Sequence, residues 1–357
     1  MAVLGRQQKK RRALRIYFAT DIHGSDTCFR KFLAAAKVYQ ADVVIMGGDF
    51  AGKGLVPVLE QADGSLTARV DGEVVTMPAG DFDELAKAVN RRGFYAVQMT
   101  AAEQERLASD RAALDLLFRD EIAAQLRRWC DLAAERLDPD VRCIVTPGND
   151  DPVEADAVLE ASERVECPEL VSCDLGPVTM VSVGIVPHTP WDTERESSEE
   201  ELGKHISRMV DALPEGRPLL FNVHCPPYAS GLDDAPELDA TLKPMVRGGR
   251  PSIVPVGSKA VREAIKKYQP VVALHGHIHE SRGAQKIGRT ICVNPGSEYS
   301  SGVLKGAVVD LAEDGTCLDF LLTTGYAARP SRVGRAGPAG PVGRPGPWPI
   351  PWRRHGG

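Results

Sequence analysis

Five short segments, far apart in the chain, each close a hydrophobic run with residues that bind metals: Asp21-Ile22-His23, Gly47-Gly48-Asp49, Gly148-Asn149-Asp150-Asp151, His224, and Gly276-His277-Ile278-His279. The runs before them are Ile16-Tyr17-Phe18, Val43 to Met46, Val141 to Val145, Leu219 to Val223 and Val271 to Leu274. All have the length and apolarity of buried strands. Ligands at the carboxyl ends of such strands converge on one edge of a sheet, where open α/β sheets place their sites. One D-x-H or H-x-H pair is weak evidence, but five such strand ends together predict a two-metal hydrolase centre.

The residue types suit that chemistry. Asp21 and His23, two apart on a segment leaving a strand, can turn toward one point, and His277 and His279 repeat the spacing. Asp49 follows two glycines, which let the backbone turn so sharply that one carboxylate can bridge two cations roughly 3.5 to 4 Å apart. Asn149 offers a neutral amide oxygen. Mixed nitrogen and oxygen donors without thiolate suit two divalent ions, with manganese expected and iron, zinc or cobalt compatible. Such a pair holds a phosphoryl oxygen and turns a bridging water into hydroxide near neutral pH, so phosphoester hydrolysis is the natural outcome.

With 357 residues, 26% charged and 43% hydrophobic, the chain can build a large core. No stretch has the roughly 20 consecutive apolar residues of a membrane helix, and no apolar h-region follows the basic start, so no membrane role and a cytoplasmic location are expected. The eight cysteines form no C-x-x-C pair and read as reduced, mostly buried thiols. The net charge of −6 is uneven, because five uncompensated cations in residues 1–13 and six in 327–357 leave −17 between them. An acidic body argues against nucleic acid as partner and for a small phosphoester or nucleotide-like substrate. The oligomeric state is not legible.

The chain opens with a βαβ unit: a strand at Ile16 to Ala19, a helix over roughly Asp26 to Tyr39, and a strand at Val43 to Met46. The alternation then stops. Short runs broken by Asp63-Gly64 and Asp71-Gly72 predict an antiparallel meander from Val56 to Met77. Helical sequence follows from Asp81 to Asn90, then a longer helix from about Ala101 to Leu137 with Thr100 and Glu103 spaced as a capping box. This helical and hairpin insertion, about 52–124, reads as a helix docked on the sheet and part of a lid beside the site. Alternation resumes at Val141, with further strands near Leu170 and Val178 to Val183 and a helix near Glu194 to Ala212. Residues 1–13 read as a basic disordered start, 14–326 as the folded domain, and 327–357, rich in Pro, Gly and Arg, as a disordered tail.

These segments resemble the calcineurin-like metallophosphoesterase superfamily, whose pattern is D-x-H, G-D, G-N-H-D/E, an isolated H and G-H-x-H, in that order. The likeness runs from about Arg15 to Tyr326, and Asn294-Pro295-Gly296-Ser297 looks like the loop that closes the core in smaller members. It implies a four-layer α/β/β/α sandwich of two mixed sheets flanked by helices. One metal would then be held by Asp21, His23, Asp49 and His279, and the other by Asp49, Asn149, His224 and His277.

The family usually has a histidine straight after the asparagine, near the leaving group; here that place is Asp150. A carboxylate cannot be a cationic phosphate-binding group, and it donates a proton only if burial raises its pKa considerably. Asp151 corresponds to the family's usual acid after that histidine, and both are taken as catalytic candidates. Lys53, in the loop after Asp49 where relatives often carry an arginine, His188 and His275 are candidates for substrate contact. Cys225 beside His224 is read as a buried thiol rather than a ligand. The expected activity is that of a phosphodiesterase more than a monoesterase, attacking in line with the bridging hydroxide. The alternative is a weakly active or inactive scaffold that keeps the metal and uses the insertion as its interface.

Overall fold

The computed structural model describes residues 11–70 and 72–325. The expectations for residues 1–10 and for the tail beyond 325 fall outside the described residues. Two six-stranded mixed sheets dominate the fold. The first pairs the strand Arg12–Ala19 in parallel with Val43–Gly47, which continues in parallel to Arg142–Thr146 and Val165–Glu166; Leu304–Ala312 and Cys317–Gly325 extend it antiparallel on the other side. The second has Thr179–Val183, Leu219–Val223, Val272–Leu274 and Thr290–Asn294 in parallel, with Ser172–Asp174 and Gly283–Ile287 as antiparallel edges.

Because side chains alternate across a strand, each run feeds two cores. Ile16, Phe18, Val43, Ile45 and Ile144 of the first sheet pack with Met180, Leu220, Val272, Leu274 and Val293 of the second. The alternate residues Tyr17, Ala19, Val44, Met46, Cys143 and Val145 pack against helices α1 (Asp26–Tyr39), with Phe29 and Phe32, and α4 (Arg111–Arg136), with Ile122, Leu126 and Trp129. On the second sheet, Val181, Val183, Phe221, Val223 and Ala273 pack against α6 (Glu199–Asp211) and α7 (Lys259–Tyr268) through Leu202, Ile206, Val261 and Ile265. The remaining helices are α2 (Phe82–Asn90), α3 (Ala101–Ser109) and α5 (Glu154–Glu160). Among the described residues, no helix is long and apolar enough to cross a membrane. All eight cysteines are free thiols.

Several boundaries differ from expectation for local reasons. The long helix from Ala101 is two helices. Thr100 and Glu103 form the capping box of α3, and Asp110, with extended φ −118° and ψ 89°, ends it and caps α4 by accepting from Ala113 N at 3.0 Å. Helix α4 then runs unbroken across residue 124, the expected end of the insertion. The meander Gly54–Glu60, Leu66–Val70 and Glu73–Met77 forms with a fourth strand, Phe94–Met99, added in parallel, and its Val58 and Leu66 pack with Leu85 and Val89 of α2 as a separate small core. The strand expected near Leu170 starts at Ser172, because Leu170 itself, with φ of 55°, cannot be extended. Helix α6 starts at Glu199, capped by Ser198, rather than at Glu194.

Candidate metal centre

The parallel strands of both sheets end at the seam between them. Asp21, His23 and Asp49 follow strands of the first sheet; His224, His277 and His279 follow strands of the second. Two groups of potential ligand atoms form there, Asp21, His23, Asp49 and His279 in one and Asp49, His224 and His277 in the other, each group lying within 4.8 Å. Asp49 belongs to both. Asp21, His23, Asp49 and His224 are buried, and the His279 side chain is 27% exposed, so the cluster opens on that side.

Tight turns make the convergence possible. Asp21, His23, Asp49 and His277 have φ of 54°, 40°, 51° and 65°, a left-handed region in which Asp and His are tolerated better than most residues. Backbone bonds hold the first two loops together: Asp21 N donates to Gly48 O at 2.9 Å and His23 N to Asp49 O at 3.0 Å. The Asp21 carboxylate ties the two sheets, accepting from His277 N at 3.0 Å, while Ser297 Oγ donates to Asp21 O at 2.6 Å. Gly148 and Gly276 are required by close approach. A Cβ on Gly148 would stand 2.3 Å from Asp49 Oδ1, and one on Gly276 2.4 Å from Asp21 Oδ2.

Asn149 sits beside the second group. Its Nδ2 donates to Thr193 Oγ1 at 3.1 Å and to Asp150 Oδ1 at 3.0 Å, which leaves its Oδ1 buried without a partner. His23 Nδ1 is likewise buried and unpartnered, and His23 Nε2 lies 3.0 Å from His279 Nε2. Buried acceptors are rarely left unsatisfied, so lone pairs gathered around two buried carboxylates fit divalent cations. The imidazole orientation is fixed from behind: His224 Nδ1 lies 2.9 Å from Gly47 O, which leaves Nε2 facing Asp49 Oδ1 at 3.3 Å. Without a metal, burial opposes charge on His224, but the Asp49 and Asp21 carboxylates outweigh it and push its pKa up to about 10. Burial and the neighbouring His224 push His277 down to about 4, so it is a neutral donor at physiological pH.

The other expected residues have different places. Asp151 does not join either ligand group. Its carboxylate accepts from Ala51 N and Gly148 N, both at 2.7 Å, and from Phe50 N at 3.3 Å, so its place is that of a clamp between the Asp49 and Asn149 loops. Asp150 pairs with Lys53, Nζ to Oδ2 2.5 Å, at the edge of the cluster. His275 is fully buried behind the cluster, with Nδ1 2.7 Å from Val223 O. His188 has a side chain 70% exposed, 3.8 Å from Glu196, and does not reach the ligands. Cys225 is buried, belongs to neither group, and its thiol pKa is pushed up by burial.

Two neighbours escaped sequence reasoning. Tyr299 packs its ring 4.8 Å from His23 and 6.1 Å, edge-on, from His279. The Asn294-Pro295-Gly296-Ser297 turn just before it was the available signal. Thr193, held by Glu196 at 2.7 Å, orients the Asn149 amide, and nothing in its local sequence marks it.

No family model matches the chain. MJ1162 of Methanocaldococcus jannaschii, an uncharacterized protein, is 31% identical over 120 residues, 33% of this chain and 48% of that protein. The match therefore spans about half the length of that relative. One solved structure aligns with a TM-score of 0.51 at 16% identity, covering 87% of this chain and 99% of its own. TT1561 of Thermus thermophilus aligns at 0.47 with 13% identity, covering 87% and 98%, and a novel archaeal phosphodiesterase at 0.37 with 11% identity, covering 87% and 99%. In its paired mixed sheets the chain shares the overall fold of the first of these solved structures.

Proposed function

We propose that the protein is a metal-dependent phosphoester hydrolase that acts on phosphodiesters in preference to monoesters. The observation that carries this reading is Asp49, shared by two ligand groups that each fit within 4.8 Å. One metal site would use Asp21, His23, Asp49 and His279, and the other Asp49, Asn149, His224 and His277. Two divalent cations held there, manganese by preference, would supply charge for a phosphoryl oxygen and lower the pKa of a bound water.

The chain's own residues provide the rest. Asp49 and Asp21 set the charge of the site, while the Gly47 carbonyl behind His224 fixes the imidazole orientation. Asp151, through three backbone amides, keeps the Asp49 and Asn149 loops in register. The three apolar clusters support reading the architecture as helices, sheet, sheet, helices, with the small insertion sheet beside the ligand loops. A compact seam and the acidic body favour a small phosphoester, such as a nucleotide, over a long polyanion.

The test is hydrolysis by purified protein reconstituted with Mn²⁺. Bis-p-nitrophenyl phosphate should be cleaved faster than p-nitrophenyl phosphate. Protein that binds two metal ions per chain yet cleaves neither ester would be a scaffold rather than a hydrolase.

A further inference from the structure

The loop after Asp49 and the residue after Asn149 meet in space. Lys53 Nζ lies 2.5 Å from Asp150 Oδ2, and the same oxygen is 3.9 Å from His23 Nδ1. The two side chains are 35% and 24% exposed, so the pair is reachable from solvent yet restrained on most sides. Both backbones are tied to the cluster or to the insertion. Asp150 N donates to Asp49 Oδ1 at 3.0 Å. Lys53 N donates to Gly93 O at 2.6 Å, and Gly52 N to the Tyr95 hydroxyl at 2.8 Å. Gly93 is wedged so closely that a Cβ there would stand 2.7 Å from His23 O and 2.6 Å from the Tyr299 ring. The small insertion sheet, through Gly93 and Tyr95, therefore dictates where the Lys53 backbone runs. A freely solvated lysine on a glycine-flanked loop has none of these restraints.

We propose that Lys53 and Asp150 form one anion-recognition unit carried by the insertion: Lys53 meets a phosphoryl oxygen of the ester beside the metal cluster, and Asp150 is the positioning residue that holds it there. The proposal rests on the phosphoester reading above. Its logic is one of charge. At the position where the resemblance leads one to expect a histidine, this chain has a carboxylate, which alone repels a phosphate ester. Paired with an ammonium from another loop, the carboxylate is neutralised and orients a cation toward the opening. Asp150 is thereby assigned a holding role and Lys53 the contact.

The experiment is calorimetric titration of inorganic phosphate into the manganese-loaded full chain at low salt, with metal content measured on every variant. Wild-type protein should bind phosphate, and Lys53→Met should weaken binding by about tenfold or more, because it exposes an unpaired carboxylate to the anion. Adding Asp150→Asn to Lys53→Met should restore part of that loss, because the repelling carboxylate is removed while the ammonium contact stays missing. Lys53→Arg, which keeps the charge, should stay within about threefold of wild type. The unit is refuted if loaded wild-type protein does not bind phosphate, if Lys53→Met binds like wild type, if the double variant is weaker than Lys53→Met, or if Lys53→Arg loses as much as Lys53→Met. Phosphate binding through Lys53 without hydrolysis of any ester sinks the hydrolase reading alone. Hydrolysis by a Lys53→Met protein of unchanged phosphate affinity sinks this unit alone.

Discussion

Removing one hydroxyl from the insertion should disturb the metal site. The Tyr95 hydroxyl accepts from Gly52 N at 2.8 Å and donates to Gln125 Oε1 at 3.0 Å, both buried bonds. Gln125, on α4, in turn donates from Nε2 to Gly24 O at 2.8 Å, next to His23. One phenol thus links the loop after Asp49 to the loop after Asp21 through a helix and a strand of the insertion. Tyr95→Phe keeps the ring, which packs 5.9 Å from Phe118, and orphans two buried polar groups. Each orphan costs about 1–3 kcal/mol, and with partial relaxation a total near 2 kcal/mol is expected, or a fall in Tm of about 2–4 °C for a chain of this size. Because both ligand loops lose a support, Mn²⁺ affinity should fall by about tenfold, the lower end of what outer-shell changes do. Thermal unfolding in chelator reads the first effect, and titration with Mn²⁺ the second. A variant with wild-type Tm and wild-type Mn²⁺ affinity would refute the brace.

Four other outcomes follow from named contacts. Wild-type protein should gain about 2.7 kcal/mol of stability for each metal site at a Mn²⁺ concentration 100 times that site's Kd, and Asp49→Ala, lacking the shared ligand, should show neither this gain nor ester hydrolysis; a full thermal shift in the variant would refute the bridging role. In chelator, His277→Gly should be more stable to urea than His277→Ala by roughly 0.5–1 kcal/mol, because φ at this residue is 65°; equal stabilities would remove the argument for backbone strain. Glu169 has its pKa pushed up to about 8 by burial, with Oε2 unpartnered, so its own contribution to stability should be fullest below about pH 4.5 and fall by up to about 1.4 kcal/mol per pH unit as pH rises toward 8; the wild-type profile should differ from that of Glu169→Gln by this slope in urea titrations at several pH values, and coincident profiles would refute it. His188→Ala should change kcat/KM by no more than about twofold, since an exposed imidazole 3.8 Å from one carboxylate contributes little; a tenfold loss would place it on the substrate.

The strands and the ligand types were legible because both are local. A five-residue apolar run such as Leu219–Val223 announces a buried strand, and the residue after it announces what the strand end carries. What escaped depends on partners far away in sequence. The Asp151 carboxylate is occupied by amides 100 and 101 residues distant, so its resemblance to a catalytic acid said nothing about where it points. Lys53 and Asp150 are separated by 97 positions, and neither sequence neighbourhood hints at the other. The break at Asp110 was visible in principle, as an Asp three residues before Ala113, but the continuous helical periodicity concealed it. His188, between Pro187 and Pro190, was a candidate for substrate contact from its sequence, and only its exposure in the folded chain shows that it faces outward.

The left-handed backbone at Asp21, His23, Asp49 and His277 shows why the site and the fold cannot be separated. Left alone, these residues would prefer extended or right-handed conformations, and each reversal costs about 1–2 kcal/mol. The loops keep them because other bonds over-determine the turn: Asp21 N to Gly48 O, His23 N to Asp49 O, and His277 N to the Asp21 carboxylate. The last of these joins the two sheets, and Asn222, on the second sheet, adds a buried bond of 2.9 Å to Thr146 on the first. The ligand geometry therefore exists only after the sheets have docked through the shared core of Ile16, Phe18, Leu220 and Leu274.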